Sequence, residues 1–191
     1  PDAVSIDHGA MACCGLGPTF GAMQQMRVDA FDTLLITGLG PVGLGGVVNA
    51  RFRGARVIGV ESHPYRAALA LDLGAEVVLD PGDPAARARI LELTGGTGVD
   101  KAIDCSGAPA AQRFAVDCVR RRGQVAFVGE AGDLGVHVSN DLIRKGIALR
   151  GAWHYRLGDY PALLRVIEAS RAKIDRLITH TFPLSRVRDA W

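Results

Sequence analysis

The chain has 191 residues, 48% of them hydrophobic and 22% charged, enough apolar content for one sizeable buried core. Its 22 Lys and Arg against 20 Asp and Glu leave a net charge of +2, which gives no basis for a nucleic-acid or membrane-surface partner. No apolar run approaches the ~20 residues of a membrane helix, no signal peptide is recognisable, and four cysteines without a CxxC pattern suit a reducing cytoplasm.

Residues 1–32 are mixed in character, with a small-residue cluster at 13–18. Thr33–Thr37 reads as a buried strand and 41–53 as a helix; Arg56–Val60 is a second strand, and Pro64–Leu73 a helix ended by Gly74. Residues 76–79 form a short strand, 83–93 a helix ended by Gly95 and Gly96, and Val99–Asp104 a strand. A helix over 108–121, stopped by Gly123, precedes a strand at 124–128. The run Arg120-Arg121-Arg122 reads as the solvated end of that helix, where the dipole favours cations. A loop at 130–137, a short helix at 140–145 and a last strand at 147–153 follow. Beyond them come a helix near 160–171, an apolar segment at 177–182 and a helix starting at Ser185. The chain opens on Pro1-Asp2 and stops at Ala190-Trp191 inside a helical pattern, so both ends read as cuts in a longer protein.

Strands and helices alternate from Thr33 to Trp153, and the strands carry few polar positions. That pattern specifies a parallel sheet covered by helices on both faces. Between the first strand and its helix stands Gly38-Leu39-Gly40-Pro41-Val42-Gly43, a G-x-G-x-x-G. Gly38 permits the sharp turn, Gly40 lets a pyrophosphate approach the backbone, and Gly43 lets the helix lie close on the sheet. Pro41 suits a first helical turn, whose remaining N–H groups face an anion. Glu61 closes the second strand 23 residues after Gly38, where a carboxylate accepts both hydroxyls of an adenosine ribose and repels a 2′-phosphate. NAD is therefore expected over NADP, with Ser62 beside the ribose and with His63 and Arg66 as nearby cations that keep NADP open. The expected fold is α/β: a Rossmann doubly wound six-stranded parallel sheet in the order 3-2-1-4-5-6.

The stretch "ITGLGPVGLGGVVNARFRGARVIGVESHPYRAALALDLGAEVVLD" resembles the cofactor domain of medium-chain, zinc-dependent alcohol dehydrogenases, a group that includes sorbitol and threonine dehydrogenases. "TGGTGVDKAIDCSG", "GQVAFVGEAG" and "LITHTFPLSRVRDAW" fall in the same order and at similar spacing, so the resemblance covers essentially the whole chain. It implies that residues 32–151 are the NAD-binding domain, that 1–31 end a preceding GroES-like catalytic segment, and that 152–191 begin the return to it. The first two catalytic zinc ligands and a four-cysteine structural zinc loop would lie before Pro1. Cys14, in "CCGLGPTFGAM", matches the position of a further zinc ligand. Pro18 stands where the family usually has threonine, with Thr19 one place late, which leaves Cys13 as the alternative ligand. One ligand cannot supply a tetrahedral site, so this chain alone is expected to hold no zinc.

By the same resemblance, Cys105, Ser106 and Gly107 lie beside the cofactor ribose, Val128 and Gly129 on the nicotinamide side, and Ala152, Trp153 and His154 near the carboxamide and substrate. His154 reads as a wall of the pocket rather than a base, His8, His137 and His180 as structural or exposed, and Asp104 as a strand-end acceptor. No catalytic residue is assigned here. The implied whole is an NAD- and zinc-dependent dehydrogenase of a small alcohol or polyol, cytoplasmic, a homodimer or homotetramer joined through the last strand. The present chain is expected to bind NAD without turning over alcohol. The alternatives are a zinc-free quinone or enoyl reductase of the same superfamily and a dinucleotide-binding module without chemistry.

Overall fold

The computed structural model describes residues 4–130 and 132–190. The Pro1-Asp2 start, Ala131 within the loop read over 130–137, and the terminal Trp191 lie outside the described residues. Six strands form one sheet: β1 (Thr33–Thr37), β2 (Arg56–Val60), β3 (Val77–Leu79), β4 (Val99–Asp104), β5 (Val119–Phe127) and β6 (Ala148–Gly151). Their order is β3-β2-β1-β4-β5-β6, and every pair is parallel, as the alternation specified. The helices are α1 (Ile6–Met11), α2 (Gly17–Met26), α3 (Pro41–Phe52), α4 (Pro64–Leu73), α5 (Ala86–Leu93), α6 (Pro109–Cys118), α7 (Tyr160–Ala169), α8 (Arg171–Asp175) and α9 (Val187–Ala190).

The pleat divides the central strands between two cores. Leu34, Ile36, Val57 and Ile103 point to one face and pack with α2, α3, α4, α7 and α8; Leu35, Ile58, Ala102 and Val125 point to the other and meet α5 and α6. Leu35 and Ile36 are fully buried, so truncating either to alanine costs about 2–5 kcal/mol. Three crossover helices open on a proline, Pro41, Pro64 and Pro109, at the position where a missing N–H costs nothing. The register pairs Thr37 with both Val60 and Asp104, so the carboxyl ends of β1, β2 and β4 finish level. A switch point between β1 and β4 opens there.

Several local expectations are corrected. The segment before β1, mixed in its sequence pattern, contains two helices, α1 and α2. The segment 108–121 is not one helix: α6 ends at Cys118, and Val119 already pairs with Val99. The arginine run therefore lies in β5, around a register shift, with Arg122 at φ +60° and Arg120 Nε 2.6 Å from Asp100 Oδ1. The cation at the end of α6 comes from elsewhere: Lys145 Nζ donates to the Val116 and Asp117 carbonyls at 2.6 and 3.1 Å. The short helix read at 140–145 is present but wider than an α-helix, a π-helix over Val138–Arg144 marked by the Lys145 N–H donating to the Asn140 carbonyl. The helix near 160–171 breaks at Ser170, whose ψ of 16° separates α7 from α8.

The two flanks of the sheet unit pack on one face of it and on each other. Buried Asn49 of α3 donates to the Leu16 carbonyl at 2.8 Å and to Thr19 Oγ1 at 2.9 Å, pinning the start of α2. A Cβ on Gly45 would stand 1.9 Å from the Gly15 carbonyl oxygen, so this approach admits only glycine. His8 Nε2 lies 2.6 Å from Asp175 Oδ1, joining α1 to α8.

Candidate functional site

The glycine turn follows β1 directly. Gly38 takes φ +79°, and a Cβ there would stand 2.6 Å from the Ser106 side chain. Gly43, in the first turn of α3, would place a Cβ 2.0 Å from the Gly38 carbonyl oxygen, whereas the space beside Gly40 is open. Each glycine thus has a distinct steric role. Pro41 and Val42 form the first turn of α3 behind the loop.

Glu61 reaches across to this turn. Its Oε2 accepts from the Leu39 N–H at 2.8 Å, and its Oε1 accepts from the Ser62 and His63 N–H groups at 3.0 and 2.9 Å. Arg66 Nη1 stands 4.0 Å from Oε2, and the carboxylate side chain is only 6% exposed. A carboxylate offers about four acceptor positions. Three are taken by amides, so one position on Oε2 remains, against the two ribose hydroxyls expected from the sequence.

Asp104 ends β4 fully buried and organises the next turn. Its carboxylate accepts from Thr37 Oγ1 at 2.8 Å, Ser106 Oγ at 2.7 Å and the Gly107 N–H at 3.0 Å. Its carbonyl accepts from the Val128 and Gly129 N–H groups at 2.9 and 3.0 Å. A Cβ on Gly129 would stand 2.2 Å from the Gly107 nitrogen, so the ends of β4 and β5 are locked together. The Cys105 thiol is pushed far above the usual cysteine value, first by desolvation and then by the Asp104 charge.

These turns enclose a cleft of about 480 Å³ lined by Gly38, Gly40, Glu61, Ser62, Arg66, Cys105 and Ser106. Its remaining wall is mainly apolar and includes Val60, Pro81, Ala110, Ala111 and Phe114. No sequence motif marks that wall; Ala110, Ala111 and Phe114 stand in α6, just after Cys105-Ser106-Gly107, and this adjacency is the signal that points to them. Pro41, Val42, Gly43, Gly107, Val128 and Gly129 stand behind or beside the cleft and do not line it.

Ala152 is buried, with its N–H donating to the Phe127 carbonyl at 3.0 Å, whereas Trp153 is exposed. His154 lines a second, polar cleft with Gln24, Arg27, Tyr155 and Asp159. It also meets Cys13 and Cys14: one donor atom from each of the three lies within 4.8 Å of the others. Three candidate donors from two distant segments thus meet around the Cys14 expected from the sequence. Both cysteines are exposed, and the Cys14 thiol is raised by desolvation and by the adjacent Cys13. Two other histidines are occupied locally: His137 Nδ1 accepts the Asn140 N–H at 3.1 Å, and His180 Nδ1 lies 2.9 Å from Thr179 Oγ1. Among the described residues, no helix is long and apolar enough to cross a membrane.

Residues 41–169 match the family model described as "Zinc-binding dehydrogenase". The chain is 35% identical, over its whole length, to the uncharacterized zinc-type alcohol dehydrogenase-like protein YphC of Escherichia coli, of which it covers 54%. It is 32% identical to the D-arabitol-phosphate dehydrogenase of Enterococcus avium, covering all of this chain and 55% of that protein. An alcohol dehydrogenase crystal structure from Thermotoga maritima superposes with a TM-score of 0.91 at 28% identity, covering 100% of this chain and 54% of the other. The chain thus spans about half the length of the curated relatives it matches. It belongs to the zinc-binding dehydrogenase family and corresponds to the NAD-binding portion of the medium-chain, zinc-type alcohol dehydrogenases.

Proposed function

We propose that this chain is the cofactor-holding part of an NAD- and zinc-dependent dehydrogenase that oxidises a small alcohol or polyol. The convergence of the glycine turn and Glu61 in one cleft carries the reading. The open space at Gly40 and the first turn of α3 suit a pyrophosphate. The remaining acceptor position of Glu61 suits a ribose hydroxyl, and the apolar wall at Pro81, Ala110 and Phe114 suits a flat base. A 2′-phosphate would meet the Glu61 carboxylate, with Arg66 only partly offsetting the repulsion.

Bound NAD supplies the hydride acceptor, and zinc supplies Lewis acidity toward the substrate oxygen. The donor set at Cys13, Cys14 and His154 fits such an ion, and we assign Cys14 to it. The chain's own residues orient and desolvate: Asp104 fixes the turns after β4 and β5, and Glu61 fixes the glycine turn. Residues 32–151 form the complete dinucleotide domain in this reading, with 1–31 and 152–191 as edges of a catalytic domain. β6 is the outermost strand of the sheet on its side, and edge pairing there supports a homodimer or homotetramer in the reducing cytoplasm.

Calorimetric titration of the chain with NAD and NADP tests the proposal. Saturable NAD binding, tighter than NADP, is expected. Absence of saturable binding, or a preference for NADP, refutes it.

A further inference from the structure

The second cleft, of about 340 Å³, lies between the carboxyl half of α2 and the segment after β6. It shares no lining residue with the dinucleotide cleft, and its wall is polar where the other is mainly apolar. The local sequence builds it. Gly17 and Gly21 lie one turn apart on α2. A Cβ on Gly21 would stand 2.3 Å from the His154 carbonyl oxygen, and one on Gly17 would stand 2.7 Å from the Tyr155 ring. The two glycines let the segment after β6 lie directly on the helix. α2 then ends at Arg27, whose φ of 54° and ψ of 51° are left-handed. Glycine or asparagine takes such a place at least cost, yet an arginine holds it here and lines the cleft. The negative end of α2 is answered by other cations: Lys101 Nζ donates to the Arg27 carbonyl at 2.9 Å, and Arg150 Nη1 lies 3.5 Å from the Gln25 carbonyl. Lys101 is in turn paired with Asp32 at 2.6 Å. Arg27 and Arg156 form no ion pair among the described residues, and Asp159 is the one carboxylate lining the cleft. Arg53 draws on that same carboxylate. Its guanidinium lies over the Phe20 ring at 5.0 Å, and desolvation lowers its pKa, a shift that the Asp159 charge partly reverses. Arg53 Nε is buried without a hydrogen-bond partner. Three guanidiniums thus share the single charge of Asp159.

We propose that this cleft binds the phosphate group of a small hydroxylated phosphate ester, of the sugar-phosphate class, at a site separate from the dinucleotide. A phosphate monoester carries close to two negative charges at neutral pH and three strong acceptor oxygens. Arginine presents a planar fork that meets two such oxygens at once, so Arg27 and Arg156 suit it from α2 and from the opposite wall. The excess positive charge, uncompensated inside the protein, is what an anion would complete. Gln24 and Gln25 also line the cleft, and their amides both donate and accept, as the hydroxyls of such an ester require. The volume falls in the range of small-molecule sites, about 300–1,000 Å³, so the ester and not its phosphate alone fits the space.

The test is titration of the chelator-treated, nitrogen-15-labelled chain with glucose 6-phosphate, inorganic phosphate and glucose, followed by amide chemical shifts. Glucose 6-phosphate should saturate, with shifts centred on residues 24–27 and 154–159; inorganic phosphate should bind more weakly and glucose not at all. Arg27→Asn and Arg156→Gln should each weaken the ester about tenfold or more. Arg27→Asn also suits the left-handed backbone, so its Tm should not fall and lost binding is not lost folding. Arg87→Gln removes an exposed charge from α5, on the other face of the sheet, and should leave binding unchanged. No saturable shift with glucose 6-phosphate, equal weakening by Arg87→Gln, or full affinity in Arg27→Asn each overturns the inference. Inorganic phosphate binding as tightly as the ester overturns the ester as occupant. Saturating NAD should leave the titration unchanged; abolition by NAD would assign the anion to the dinucleotide cleft and overturn the second site. A chain that binds the ester but not NAD overturns the cofactor assignment alone, and one that binds NAD but not the ester overturns this site alone.

Discussion

Replacing Glu61 by glutamine removes one acceptor oxygen and adds a donor without changing shape. The better amide orientation keeps an oxygen toward the Ser62 and His63 N–H groups and turns its NH₂ toward the Leu39 N–H, now 2.8 Å from a donor rather than an acceptor. The other orientation creates two such conflicts. Leaving one such group unpaired costs about 1–3 kcal/mol. For a chain of this length, each kcal/mol lowers Tm by about 2–4 °C, so Glu61→Gln should melt roughly 2–12 °C below wild type without any cofactor. A residue reserved for the ribose would show no such loss in the ligand-free protein. Differential scanning calorimetry of the ligand-free pair decides it. A Tm within a degree of wild type, accompanied by weakened NAD binding, would refute the claim that Glu61 holds the glycine turn in place.

Gly43→Ala drives a methyl group against the Gly38 carbonyl oxygen, only 2.0 Å from the ideal Cβ position. Overpacking of this kind costs about 1–3 kcal/mol, and it displaces the turn itself. NAD affinity should fall by at least an order of magnitude in calorimetry, and an unchanged Kd would count against the turn as the pyrophosphate seat. The Asp141 carboxyl is held below its usual value by the Arg113 guanidinium, against desolvation and with help from the His137 N–H. Its stabilisation is therefore complete above the unfolded carboxylate value of about 4 and disappears as pH falls through the lower folded value. Asp141→Asn should melt below wild type at neutral pH, and the two Tm curves should converge on acidification; parallel curves would refute the linkage.

The sheet was legible because β1 and β2 are short, largely aliphatic runs buried on both faces, and glycines stand beside or close to the ends of β1, β2 and β4. The glycine turn and Glu61 were legible for the same reason: strand ends, a fixed spacing and special residues coincide. α2 was not legible, because it is buried nearly all round and has no polar face to reveal a helical period. The start of β5 was hidden by Arg120–Arg122, whose charges reach solvent or carboxylates from the amino end of the sheet. The amide bonds of Glu61 and the gathering of His154 with Cys13 and Cys14 depend on contacts between segments far apart in the chain, which no local pattern encodes.

The four sulfurs fall into two chemically unequal pairs. Cys13 and Cys14 are exposed, whereas burial holds the Cys105 thiol far up and pushes that of Cys118 to about 12. Alkylating reagents consume thiolates, so at neutral pH they would modify the outer pair and spare the inner one. Of these two, Cys105 borders the cleft whereas Cys118 is buried, so Cys118 becomes labelled only when the sheet comes apart. The molecule thus carries its own record of opening, countable by mass after a timed exposure to iodoacetamide, with no probe added to it.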